Sequence, residues 1–341
     1  MRCPGLNILP AAPSGKRGWP WTEASLPPPD SPISGDAWPR ISVVTPSFNQ
    51  GQFLEETIRS VLLQRYPDIE YIVIDGGSTD NSRDIIERYS PWLHYWVSEP
   101  DRGQSHAVNK GFSASTGTIL AYINSDDFYE PHALETAATA FMRPERPQLL
   151  TGDCIIFDEK RVKRTFEAFW PEHIGHLLKP FGSTFAQPAA FWSRAVYEQV
   201  GGFDESLHYA FDREFFLKIG LAGTAPLIMR KPLARYRDHP ATKTSQTIHF
   251  YQESIPVIHA YADRCGLGIR EKENLLRLCR DEIGYLTVFI RWKQGGRYAG
   301  LLEFMRLLMR SPWLLRQRKI LGQGRRLLFF REDDVAELRN V

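Results

Sequence analysis

The chain has 341 residues, 43% of them hydrophobic and 24% charged, with a formal net charge of +2. That length can bury a sizeable core and suits one large domain with an appendage, and the small net charge singles out no class of partner. The four cysteines, Cys3, Cys154, Cys265 and Cys279, are scattered with no C-x-x-C pair. This excludes a zinc site and a disulfide framework and makes a reducing cytoplasm the expected compartment. Neither a signal-peptide core nor an apolar run long enough to span a bilayer is visible.

Residues 1–39 are rich in Pro, Gly and Ser, lack periodicity, and are expected to form a disordered or loosely attached tail. Order begins at Ile41-Ser42-Val43-Val44-Thr45, a β-branched run stopped by Pro46. Leu54, Ile58, Val61 and Leu62 then fall at helical spacing, which predicts a helix packed back on a sheet. Tyr71-Ile72-Val73-Ile74 reads as the next strand, closing on Asp75-Gly76-Gly77-Ser78-Thr79-Asp80, and a helix carrying Ile85, Ile86 and Tyr89 follows. Leu93–Val97 predicts a third strand, Ser105–Phe112 a short helix, and Ile119–Ile123 a buried strand running into Asn124-Ser125-Asp126-Asp127. Strands and helices alternating in this way predict βαβ units and a mostly parallel sheet. Beyond Met142 the pattern loosens. A hairpin about Asp158-Glu159-Lys160 is expected, then helices near Arg194–Val200 and Asp212–Leu221, a strand or two within Pro226–Arg237, and helix from Thr247 onward. The expected division is a tail at 1–39, an α/β domain at 40–245 and a helical, basic extension at 246–341.

Three strand ends converge on one edge: Thr45-Pro46-Ser47, Asp75-Gly76-Gly77 and Ser125-Asp126-Asp127. Ligands of open α/β sheets collect outside the carboxyl ends of the strands. Small residues let a ligand approach the backbone, and a carboxylate accepts hydrogen bonds from a base or a ribose. Adjacent aspartates suit a divalent cation held against a phosphate; Asp127 equally suits the cap of a helix starting near Pro131. No G-x-G-x-x-G follows the first strand and no G-x-x-x-x-G-K-[ST] occurs, which argues against a dinucleotide oxidoreductase and a P-loop NTPase.

With Gly201-Gly202-Phe203-Asp204-Glu205 and Asp212 beyond it, these strand ends resemble the family 2 glycosyltransferases over about Ile41–His239. The resemblance implies a GT-A fold, a Rossmann-like mostly parallel sheet flanked by helices. It also implies a nucleotide-diphosphate sugar donor (a UDP-sugar foremost), a metal (Mn2+ or Mg2+) on its diphosphate, and attack by an acceptor hydroxyl with inversion. By that resemblance Thr45, Pro46, Ser47 and Asn49 line the nucleotide, Asp75 binds the base, Lys110 reaches the donor, and Asp126 faces the ribose or diphosphate. Asp127 then ligates the metal, with His239 beside it. Asp212 is the candidate general base; a helix cap before Phe215, Phe216 and Ile219 is the alternative. Where relatives carry acids, this chain has Gly76, Asn124 and Phe211. Glu99–Gln104 and Asn109-Lys110-Gly111 resemble a bacterial surface-polysaccharide branch of the family. Gln187-Pro188 borders the expected acceptor cleft, and Trp192 either stacks on a sugar or fills core.

Glu303 is the only acid between Arg291 and Arg331, and the basic residues there interleave with leucines, Phe304 and Trp313. An anionic membrane surface suits such a segment, as does packing on the domain; no recognition module supports nucleic acid. The expected function is a metal-dependent inverting glycosyltransferase, peripheral on the inner face of the cell membrane in the cytoplasm. Its acceptor is expected to be a lipid-linked saccharide or other saccharide of surface polysaccharide synthesis. The rivals are a non-catalytic sugar-nucleotide-binding module or degenerate transferase, and a nucleotidyltransferase. The latter needs a basic glycine-rich loop after the first strand, and Pro46–Gly51 holds no basic residue.

Overall fold

The strands Ile41–Ser47 (β1) and Ile69–Asp75 (β2) are buried at every position. Apolar runs of this kind need cover on both faces, which a parallel α/β sheet provides. The structure is a computed structural model describing residues 3–29, 32, 37–158, 160–240, 242–243 and 247–316. The chain forms two compact units, Met1–Leu177 with Gly182–Ser245, and Leu178–Phe181 with Gln246–Val341.

In the first unit β1 pairs in parallel with β2 and with Ile119–Tyr122 (β4), and β2 with Tyr95–Ser98 (β3). The intervening helices are Gly51–Leu62 (α1), Ser82–Tyr89 (α2) and Gln104–Ser113 (α3). The predicted βαβ units are therefore present, and their carboxyl ends meet at one edge. Beyond β4 the sheet turns mixed. Phe128–Tyr129 (β5) and the helix Ala133–Phe141 (α4) lead to Leu149–Phe157 (β6) and Val162–Phe166 (β7), an antiparallel hairpin about the expected turn. Ala190–Ser193 (β8) pairs antiparallel with β4 and β6, and after the helices Arg194–Val200 (α5) and Phe211–Leu221 (α6), Leu227–Arg237 (β9) runs parallel to β6. Trp192 is fully buried against Phe112, Tyr122, Phe203, Phe215 and Phe216, so it fills core.

The N-terminal residues correct the expectation of a loose tail. Cys3, Leu9 and Trp21 are buried, and Trp19 Nε1 donates to Tyr129 O at 2.7 Å. The anchor is Arg59, 1% exposed on α1, whose guanidinium donates to the carbonyls of Pro10, Pro20 and Trp21 and to Tyr89 Oη. A buried cation needs such a full set of acceptors, and the proline-rich segment supplies three of them.

The second unit contains Thr247–Tyr261 (α7) and Ile269–Arg310 (α8). α8 breaks at Gly296, whose φ of 72° lies in the left-handed region that glycine tolerates. The chain then folds back on itself. A Cβ on Gly284 would meet Leu307, and Tyr285, Val288, Phe304, Leu307 and Leu314 form a small core. Asp281 ties the end down by accepting from Ser311 Oγ and Trp313 Nε1, each at 2.9 Å. No helix among the described residues is long and apolar enough to cross a membrane. The basic stretch past Arg316 lies outside the described residues.

Candidate active site

The loops after β1 and β2 are sewn together by side chains. Asn49, held at φ 52°, donates its backbone N–H to Ser78 Oγ (2.7 Å) and accepts from Thr79 N (2.8 Å). Asp80 accepts from Gly51 N at 2.8 Å. Thr45 is fully buried and its hydroxyl pairs with Tyr71 Oη at 3.0 Å, so it shapes the strand end from below. Pro46 is buried in the strand as well, whereas Ser47 has a buried hydroxyl without a partner. Asp75, 0% exposed, accepts from Ser78 N, Ser78 Oγ and Ser98 Oγ.

The two aspartates after β4 are held differently: Asp127, the expected metal ligand, is buried, and Asp126 is partly exposed. Asp127 is 1% exposed; its carboxylate accepts from Arg237 N (2.9 Å) and Asn124 Nδ2 (3.2 Å). Burial and then the neighbouring Asp126 charge push its pKa well above the ordinary carboxylate value. Both oxygens thus serve the protein. Asp126 is the one turned to His239, with Oδ2 and Nε2 3.1 Å apart. Arg237 fixes this arrangement from behind. It donates through Nε to Asp126 O and through a terminal nitrogen to Glu56, and lies over Phe53 and Phe157. Asn124 is bridged to α3 by Gln104 Nε2 at 2.5 Å.

Asp212 opens α6. Its carboxylate accepts from the neighbouring Arg213 N at 2.7 Å. Burial raises its pKa, offset by Arg213 and Lys243. The Tyr122 ring at the end of β4 lies 6.1 Å from that of Phe211 at the start of α6, so the β4 loop and the start of α6 share one end of the sheet. Gln187 Nε2 donates to Tyr122 O, and its Oε1 is buried without a partner. Lys110, assigned to the donor by the resemblance, forms an ion pair with Glu99. Its neighbour Asn109 is the structural member of the stretch, clamping Phe203 N, Phe203 O and Glu205 of the Gly-Gly-Phe-Asp turn.

Known proteins share both the sequence pattern and this architecture. The profile of glycosyl transferase family 2 matches residues 42–201. An uncharacterized glycosyltransferase of Mycobacterium tuberculosis is 32% identical over 203 residues, 58% of this chain and 75% of the relative. The chain belongs to glycosyltransferase family 2. A Bacillus subtilis glycosyltransferase assigned by name to teichuronic acid biosynthesis, TuaG, is 37% identical over 100 residues, 28% of this chain and 40% of that protein. Another relative is matched over only 33% of its length. Among solved structures, the mannosyltransferase PcManGT of Pyrobaculum calidifontis superposes with a TM-score of 0.50 at 19% identity, covering 85% of this chain and 84% of its own. The α/β sheet of this family 2 glycosyltransferase is of the GT-A type.

Sequence reading of this glycosyltransferase gave no role to Arg237, and quoted Gln104 and Asn109 only inside the stretches Glu99–Gln104 and Asn109-Lys110-Gly111. Arg237, two residues before His239, was the available signal for the first; the amide contacts of the other two cannot be read from one sequence.

Proposed function

We propose that the chain is an inverting glycosyltransferase moving a sugar from a nucleotide-diphosphate sugar, a UDP-sugar first among them, to a saccharide or lipid-linked saccharide hydroxyl. The observation that carries this reading is Asp212. It is a half-buried carboxylate with raised pKa, hydrogen-bonded by the neighbouring backbone N–H and next to Phe211, whose ring lies 6.1 Å from that of Tyr122 at the end of β4. Such a group takes the acceptor's proton as the new bond forms. Asp126 and His239 are the residues that would hold Mn2+ or Mg2+. A hard cation there would keep substrate phosphates among its ligands. When bound, such a cation supplies Lewis-acid neutralisation of the departing diphosphate. The Pyrobaculum enzyme of the same fold, solved with GDP-Man and Mn2+, supports the donor class and the metal. The name of the Bacillus relative supports a surface-polysaccharide product. Proton NMR of the product checks the mechanism: an α-linked donor should yield a β-linked sugar, and retention of configuration would sink the single-displacement reading.

The place of work in this reading is an anionic membrane surface on the cytoplasmic side. Supporting it, Tyr298, Leu302, Met305 and Met309 stand 87%, 47%, 47% and 75% exposed at helical spacing on α8. Their neighbours Arg306 and Arg310 are exposed too, with Arg291 and Lys293 nearby in sequence. An apolar stripe edged by arginines lies in the headgroup region of anionic lipid. Replacing Leu302 and Met305 with Glu should weaken sedimentation with phosphatidylglycerol vesicles roughly tenfold or more, since each apolar side chain buried is worth about 1.5–3 kcal/mol. Undiminished sedimentation of the double variant would remove the stripe from the membrane contact.

A further inference from the structure

The residue after β2 is Gly76, where a side chain would have to displace Asp101. A Cβ at this position would stand 2.8 Å from Asp101 Oδ2 and 3.3 Å from Phe48 Cδ2. Asp101 therefore brings its carboxylate from the β3–α3 loop to the very place where a side chain at 76 would project. Its Oδ1 accepts from Gly103 N at 2.7 Å, and its Oδ2 has no hydrogen-bond partner among the described residues. Asp75 is differently placed. Three donors from Ser78 and Ser98 already occupy its carboxylate, at 2.9, 2.5 and 2.7 Å. Ser47 is the register partner of Asp75, so their side chains share a face of the sheet. Its hydroxyl is buried and unpartnered, at 4% exposure. Phe48, beside them, is 61% exposed although large and aromatic.

An exposed ring, a free carboxylate oxygen and a buried hydroxyl in want of a partner thus surround one glycine. A flat heterocycle carrying an N–H on its edge answers all of them. The heterocycle stacks on Phe48, and a carboxylate, which only accepts, takes the N–H. Of the common bases, uracil and guanine present a ring N–H beside a carbonyl, whereas cytosine and adenine present a lone pair at the matching nitrogen. We propose that Asp101, not Asp75, reads the base of the donor and selects uracil or guanine over cytosine and adenine. The assignment rests on the nucleotide-sugar reading above and adds the residue that sets its specificity. Asp75 then acts as a positioning residue, holding the Gly76–Ser78 loop and Ser98 together so that Phe48 and Asp101 stay in place.

The test is calorimetric titration of wild type and Asp101→Asn with UDP, GDP, CDP, ADP and inorganic pyrophosphate in the presence of Mn2+. Asn keeps the acceptor for Gly103 N and replaces the free oxygen with an amide N–H2, so the loop is retained. The better-bound of UDP and GDP, which names the base, should lose roughly tenfold or more in affinity, because a hydrogen bond to a charged group is exchanged for donor facing donor. The gap to CDP and ADP should narrow, and pyrophosphate should bind as before. An unchanged preference among the four nucleotides overturns the assignment. So does an equal loss that includes pyrophosphate, which would make Asp101 a prop for the loop. A wild-type protein that binds none of the four instead refutes the nucleotide-sugar reading itself, and the two failures are told apart by the wild-type titrations alone.

Discussion

Asp212→Asn is expected to fold as the parent does and to lose roughly 10²–10⁴ in turnover, the usual contribution of a general base. That loss corresponds to about 3–5 kcal/mol of barrier at 1.36 kcal/mol per tenfold. The fold should tolerate the change because Asn offers the same oxygen to Arg213 N, and Asn and Asp are near equals at a helix start. Donor affinity should survive, since the proposed reading gives the metal and the diphosphate to Asp126 and His239, not to Asp212. The other acids of this stretch are already engaged. Asp204 accepts from Ser206 N and Ser206 Oγ, and buried Glu214 pairs with Lys218 at 3.1 Å. Steady-state kinetics of a well-folded variant decides the matter: unimpaired turnover would remove Asp212 from the chemistry.

The same residue sets a pH dependence whose sign follows from burial. Desolvation raises the Asp212 pKa above the ordinary 3.8. Only the ionised form can accept a proton, so kcat/KM should fall as pH drops through the raised pKa, at a higher pH than for an exposed carboxylate. Stability runs the other way. A carboxyl whose folded pKa is raised contributes stability below its unfolded pKa, and that contribution is lost as pH rises through the folded one. The parent therefore carries a cost at neutral pH, and Asp212→Asn should melt no lower than wild type there.

The βαβ half of the sheet was legible because its strands are unbroken apolar runs closed by Pro46, Gly76 and the Asn124–Asp127 turn. Helices α5 and α6 and the β6–β7 hairpin were legible by spacing and turn residues. Phe128–Tyr129 was not, since two residues carry no period; β9 was expected as a strand or two within Pro226–Arg237 and is one strand that runs through Arg230, Lys231 and Pro232. The N-terminal segment misled by composition. Its prolines suggested disorder, yet Trp19 and Trp21 are anchors, and Arg59, embedded among Ile58, Ser60 and Val61 on α1, was the hint that an internal cation awaited acceptors. At the site, spacing located the two adjacent aspartates but could not tell which one faces outward. That choice is made by Arg237 N and Asn124, which come from different parts of the chain and draw Asp127 inward.

Asp126→Asn should bring the other large loss. Outer-shell changes at metal sites cost about 10–100-fold in affinity or activity, so removing the charge of a direct ligand should weaken Mn2+-dependent nucleotide binding by about 100-fold or more. Asp127→Asn, whose oxygens serve Arg237 N and Asn124, should cost much less. The most direct measurement is calorimetric titration of the best-bound nucleoside diphosphate, with and without Mn2+, on wild type and both variants. Wild type and Asp127→Asn should bind far more tightly with the metal than without it, while Asp126→Asn binds weakly under both conditions. Wild-type binding indifferent to Mn2+, or metal-dependent binding that survives in Asp126→Asn and vanishes in Asp127→Asn, would contradict this account.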